Sequence, residues 1–475
     1  MLRWMLWILL LPLWLPWRTL RALGDHMRTR TALVVRLKGP MPDTAAGAGP
    51  FNAGNALLPI LEALSLATSD RHIRWVVVRV DSFAGGLGRA EELRDALARV
   101  RAAGKQVIVV ADTFGLTAYW LSLAAERIVV SPTGSVDVAG ISSEFTLVKG
   151  LLDKLGIRAS LVAKGRYKSM REVFCEEQMS DANREMITTL VGDLFDLLCS
   201  RISEARGIDA NRIREVVDQG PFRAEEAHSY GLIDELKYPA DVADELEADK
   251  SFRPISARRY VRRQRRRWLP TRRTRVALLE VDGSIAMGED NFGPSGKRSS
   301  GARSFALAAR RIQRDKSIDA ILLRVNSPGG SALASDLMHA ALTRAKKERP
   351  LVVSMANVAA SGGYYVSGVP QATIVANPTT ITGSIGVLGG KLELSGLLDK
   401  LGVKREAISM GENADFHSPT ACWTPAQLKK MESDIDALYA DFVAKMARGR
   451  GMPQDRLEAA AQGRVWTGTR AQQMG

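Results

Sequence analysis

Gly150–Ile157 reads GLLDKLGI, and about 246 residues later Gly396–Val403 reads GLLDKLGV. A match of that length points to an internal duplication, which constrains the fold more than any single element does. Carried outward in the same register, Ser131-Pro132-Thr133 falls on Asn377-Pro378-Thr379, and Lys168 falls on Ala414. With a one-residue gap further upstream, Tyr119-Trp120 falls on Tyr364-Tyr365 and Leu116 on Ser361. The first copy keeps a lysine where the second has alanine. The second keeps a serine where the first has leucine. One site that draws Lys168 from the first copy and Ser361 from the second accounts for both losses together.

A chain of 475 residues exceeds one ordinary core, and two copies of roughly 200 residues each suit common domain sizes. With 46% hydrophobic and 25% charged residues the composition is globular. The net charge of +14 is concentrated: Ala257–Arg275 reads ARRYVRRQRRRWLPTRRTR, ten arginines without an acid. Its position between the copies, with no nucleic-acid module beside it, favours a solvated linker or a contact for anionic lipid headgroups over a nucleic-acid site. Cys175, Cys199 and Cys422 form no paired or CxxC spacing, which excludes a disulfide framework and a zinc site. The five histidines are scattered and no metal is expected; His339 and His417, nearest the serine half, are the alternatives for a Ser-His pair.

Trp4–Trp17 is apolar, contains Pro12 and Pro16, and falls short of the roughly 20 residues a spanning helix prefers. No small-x-small cleavage site follows, so an uncleaved anchor is expected. Arg18, Arg21, Arg28 and Arg30 behind it would by themselves hold the body in the cytoplasm. The expected layout is an anchor with a basic flank at 1–30, a first copy at 31–250, an Arg-rich linker at 251–275 and a second copy at 276–475.

Apolar strands are expected at Ala32–Leu37, Trp75–Val80, Gln106–Val110 and Ile128–Val130. Their counterparts are Val276–Val281, Ile321–Val325, Leu351–Ser354 and Thr373–Ala376. Helix-like segments alternate with them, the pattern of α/β units with right-handed crossovers. From Ser180 to Arg206 and from Thr424 to Arg448 the apolar residues recur at helical period, one long amphipathic helix per copy.

In Val358–Tyr364, VAASGGY, small residues flank one serine at a helix start, leaving its hydroxyl accessible and the Gly362 amide beside it. An N-cap serine is the plain alternative. Gly165–Met170, GRYKSM, supplies a lysine that becomes a useful base for serine only if burial lowers its pKa from about 10.4. Pro328-Gly329-Gly330 lies where strand passes to helix, suited to an anion or simply to a tight turn.

These segments together resemble the long, duplicated signal peptide peptidase A (protease IV) family, bacterial membrane-bound serine proteases of the Clp protease and crotonase superfamily. The resemblance runs from about Leu33 to the C-terminus. It rests on NSPGGS at Asn326–Ser331, AASGGY at Ala359–Tyr364, Asn377-Pro378, TGSIGV at Thr382–Val387, and Tyr167-Lys168-Ser169. It implies an α/β fold, a tandem duplication of a Clp protease/crotonase-like ββα superhelix behind an N-terminal membrane anchor. It implies Ser361 as nucleophile, Lys168 as general base, and the amides of Gly362, Gly329 and Gly330 as oxyanion hole. Ser384 would orient the lysine. The family further implies a homotetrameric bowl on the outer, periplasmic face of the bacterial inner membrane, degrading released signal peptides with small or apolar side chains, without a cofactor. Arg171 and Val173 stand where the family more often has an apolar residue and a proline. The chain stops at Gly475, which aligns with Gly231, so an ending like Leu232-Ile233-Asp234 is expected to be missing. The alternatives are a crotonase-type acyl-CoA enzyme and an inactive membrane scaffold.

Overall fold

The computed structural model describes residues 30–44, 55–267, 274–293, 298–347 and 349–475. It is α/β throughout. Trp4–Trp17 lies outside the described residues, among which no helix is long and apolar enough to cross a membrane.

Compact packing divides the chain differently from the repeat. Among the described residues, one unit draws on those within 1–85, 92–139 and 201–269, and the other on those within 86–91, 140–200 and 270–475. The second unit therefore includes sixty-odd residues of the first copy, Lys168 among them.

The first unit is built on a six-stranded parallel sheet. Its order is Pro254–Ser256, Ala32–Leu37, Trp75–Val80, Gln106–Ala111, Arg127–Val130 and Glu235–Leu236. Runs such as WVVVRV and QVIVVA are apolar almost without alternation because central parallel strands are covered on both faces. Ala32, Val77, Ile108, Val110 and Val129 close one side of this core with Val242, Leu246 and Phe252.

The Arg-rich segment departs from the linker reading. Pro254–Ser256 is a sheet strand, and Ala257–Arg267 is helix. Tyr260 and Val261 are buried, the Tyr260 hydroxyl donates to Asp70 Oδ2 at 2.9 Å, and Arg265 pairs with Glu62. Arginine is a good helix former, and two apolar side chains on one stripe suffice to seat the helix while Arg258, Arg259 and Arg262 stay exposed. Residues 268–273 lie outside the described residues.

In the second unit the main sheet runs Val276–Asp282, Ala320–Ser327, Leu351–Ala360, Ile381–Gly383 and Val465–Thr467. Thr373–Ala376 also pairs with Leu351–Ala360. The sheet's parallel strands Val276–Asp282, Ala320–Ser327, Leu351–Ala360 and Thr373–Ala376 repeat Ala32–Leu37, Trp75–Val80, Gln106–Ala111 and Arg127–Val130. Ile381–Gly383 and Val465–Thr467 instead add an antiparallel pair whose counterparts, Ser135–Asp137 and Phe222–Arg223, stand in a separate small sheet. The long helices recur as Asp181–Arg206 and Pro425–Arg450, each of 26 residues. Leu351–Ala360 is longer than its expected four residues, and its extra length carries the chain up to Ser361. A separate antiparallel pair joins Arg158–Lys164, from the first copy, to Val387–Glu393, from the second. Val162 and Val387 on this pair pack over Met431 and Ile435 of the Pro425–Arg450 helix.

Candidate active site

Ser361 and Ser384 become neighbours through strand register. Leu351–Ala360 and Ile381–Gly383 run parallel with Ala360 opposite Gly383. The next residue of each strand is a serine, and both turn sharply, with φ of 53° and 52°. Non-glycine residues rarely hold that conformation, and such strain persists where the surroundings over-determine it. Here the Ser361 N–H donates to the Gly383 carbonyl at 2.8 Å and the Ser384 N–H to the Arg464 carbonyl at 2.7 Å.

Ser361 occupies the cap position of helix Gly362–Ser367, yet its hydroxyl makes no capping bond. It faces Lys168 instead: Nζ lies 3.1 Å from Ser361 Oγ, 3.0 Å from Ser384 Oγ and 3.2 Å from the Ser384 carbonyl oxygen. Lys168 arrives by way of the antiparallel pair, which sets Lys164 opposite Val387, three residues past Ser384. Burial lowers the Lys168 pKa from the ordinary 10.5 to about 8. No carboxylate offsets that burial, so the neutral amine becomes accessible near neutral pH.

The loop that seats Lys168 gave no sequence signal. Tyr167 N–H donates to the Gln462 carbonyl at 2.7 Å, and Gly463 N–H to the Ile385 carbonyl at 2.7 Å. Gly463 has φ 75°, and a Cβ there would lie 2.7 Å from Lys168 N and 2.9 Å from Lys168 Cα. Arg464 then stacks 4.7 Å from the Tyr167 ring centroid and pairs with Glu185 at 2.7 Å. Arg171 folds back, donating to the Leu161 carbonyl at 3.2 Å and to Glu176 at 2.7 Å, so an arginine holds this loop without a proline. Gly463→Ala is expected to lower kcat by about tenfold or more with KM little changed, since displacing a base by about 1 Å disrupts attack geometry. Steady-state kinetics on a fluorogenic peptide, with circular dichroism to verify folding, checks this.

The three glycine amides separate. Gly329 N–H already donates to Ser327 Oγ at 3.1 Å. Gly362 opens its helix, where the first N–H groups lack intrahelical partners, and Gly330 N lies in the adjoining turn. Among the described residues these two amides make no hydrogen bond within the chain. A Cβ at Gly362 would lie 2.3 Å from Ser335 Oγ, so a side chain there would have to displace that buried hydroxyl. His339 is buried, donates from Nε2 to the Gly368 carbonyl at 3.3 Å, and meets the Tyr365 ring edge-on. His417 is exposed beside Phe416. Neither histidine pairs with Ser361, so the Ser-His alternative has no geometric support. Leu116 is half-buried at the start of helix Leu116–Ser122, and Ala414 is exposed.

Residues 99–253 and 343–475 match Peptidase family S49, more than half of the chain. The chain belongs to peptidase family S49. It is 32% identical over 438 residues to Protease 4 of Salmonella typhi, covering 89% of this chain and 69% of that protein. It is 29% identical over 461 residues to the chloroplastic serine protease SPPA of Arabidopsis thaliana, covering 95% and 67%. A putative signal peptide peptidase SppA of Enterococcus faecium is 34% identical over 203 residues, covering 42% of this chain and 58% of that protein. The S49 chain is thus a serine-type endopeptidase with a duplicated layout, and the acyl-CoA and scaffold alternatives are set aside.

Proposed function

We propose that this S49 peptidase cleaves peptides with Ser361 as nucleophile and neutral Lys168 as general base. The observation that carries this reading is the 3.1 Å approach of Lys168 Nζ to Ser361 Oγ. A neutral amine keeps two N–H donors and one lone pair. With the donors directed to the two oxygens of Ser384, the lone pair is left for the Ser361 hydroxyl proton. Oγ attacks the scissile carbonyl carbon as its proton passes to Nζ. The oxyanion is received by the Gly362 and Gly330 amides, where preorganised donors stabilise developing charge. Collapse breaks the C–N bond, and the Lys168 ammonium gives its proton to the leaving amine. Water, deprotonated by the same amine, then cleaves the acyl ester and frees Ser361.

The substrates proposed are released signal peptides with small or apolar side chains at the cleavage site. The apolar Trp4–Trp17 stretch supports attachment to a membrane, and the resemblance supports a homotetramer on a bacterial inner membrane with the body facing the periplasm, against the bias of the arginine flank. No cofactor enters these steps. Incubating the purified protein with a synthetic signal peptide in detergent micelles tests the reading. Mass spectrometry should show fragments ending in small or apolar residues, absent with Ser361→Ala. Fragments produced equally by Ser361→Ala, or an untouched signal peptide beside a cleaved soluble peptide, would contradict it.

A further inference from the structure

The duplication leaves two strand segments without partners. Shifting Arg158–Lys164 forward by the repeat spacing gives Lys404–Met410, and shifting Val387–Glu393 back gives Ile141–Leu147. The originals are paired with each other; their counterparts are not. Among the described residues, no backbone hydrogen bond joins either counterpart to the rest of the chain. Every residue of Lys404–Met410 is exposed, with Ile408 at 95% and Met410 at 89%. Large apolar side chains so placed on an open, strand-length segment call for a partner.

The helices bear the same mark. Beneath the formed pair, Ile435 of Pro425–Arg450 is only 3% exposed. Aligned end to end, the two 26-residue helices place Ile187 and Val191 at the positions of Met431 and Ile435. Val191 is only half-buried, where Ile435 packs in one buried cluster with Val162.

We infer that Lys404–Met410 of one chain pairs antiparallel with Ile141–Leu147 of a second copy, reproducing between subunits the pairing that each chain makes internally. The register follows from the internal pair, in which Val387 faces Lys164 and Glu393 faces Arg158. Ile141 then faces Met410, Ser142 faces Ser409, Ser143 faces Ile408 and Leu147 faces Lys404. Ile408 takes the place of Val162 and covers Ile187 and Val191 of the neighbour. Glu144 and Arg405 fall on the other face as diagonal neighbours, within reach of an ion pair. The two surfaces differ, so the contact is head-to-tail. Each chain offers one of each, which is the condition for a closed ring. This rests on the homo-oligomer proposed above and names the surface that builds it.

The test uses the full chain with Cys422, the exposed native thiol, replaced by serine. Ser142→Cys and Ser409→Cys are introduced together. Directly opposed antiparallel residues have Cα atoms about 4.5–5.5 Å apart, within disulfide range. Mild oxidation should move most of the protein from the monomer band into a reducible ladder of multimers, which Ser142→Cys with Lys404→Cys, out of register, does not form. Ile408→Glu with Met410→Glu should lower the mass measured by light scattering in detergent. A disulfide within single chains overturns the inference, as does an oligomer that neither cross-links nor responds to these glutamates. In that last case the oligomer stands on another surface. A monomeric parent chain would remove both the inference and the proposed oligomer.

Discussion

Ser361→Ala and Lys168→Ala each lower kcat by about 10³-fold or more, and the double variant is scarcely worse than either alone. The expectation follows from shared geometry: Oγ and Nζ lie 3.1 Å apart and, in the proposed mechanism, act on one proton. Residues that work as a unit fail as a unit, so their losses do not add. The remaining rate reflects substrate binding and the Gly362 and Gly330 amides, which neither substitution removes. Single-turnover kinetics with each purified variant, verified as folded by circular dichroism, provides the check. Substantial turnover by Lys168→Ala near neutral pH would dismiss the lysine as base. Loss of that remaining turnover on replacing His339 would transfer the role to histidine despite its engagement with Gly368.

The second large effect is on pH. The base must be the neutral amine, and burial sets the Lys168 pKa at about 8 instead of 10.5. Below that value the ammonium predominates and cannot accept the serine proton, so activity falls as pH drops. At about pH 6, two units lower, roughly one molecule in a hundred holds the neutral form, and kcat/KM should be about a hundredfold below its plateau. The plateau begins above the lowered pKa and well short of the region where a solvated lysine titrates. A stopped assay across pH 5–11 with one peptide measures this. A rate still climbing in proportion to hydroxide beyond about pH 10 would place Lys168 in solvent.

Both effects rest on residues that were legible before any fold was known. Lys168 and Ser361 stood out because each faces an inert counterpart, Ala414 and Leu116, in the other copy. Ser384 came from resemblance alone, while Gly362 and the Gly329-Gly330 turn were already marked by their place where strand passes to helix. The structure separates the glycines, with Gly329 engaged by Ser327 and the Gly362 and Gly330 amides left available. The Gln462–Arg464 loop was missed. Its importance lies in a close approach of Gly463 to the Lys168 backbone, and a lone glycine carries no mark of what it will touch.

The sequence by itself determined what is periodic or contiguous. The apolar strands, the two long helices and the turn after Ala360 are set by side-chain pattern and backbone preference over a few neighbouring residues. Their recurrence after about 246 positions declares the duplication. Only the tertiary structure decided which segments meet. Gly140–Ser200 packs with the second copy, because Arg158–Lys164 finds its hydrogen-bonding partner in Val387–Glu393 and not in its own half. Either copy offers a segment of suitable composition. The choice between them depends on which edge is within reach once the sheets have formed. Helix Ala257–Arg267 makes the same point: arginine dominates its composition, but two buried side chains and a strand at its start decide its place. Such pairings join residues more than 190 positions apart, and no local preference encodes a contact at that separation.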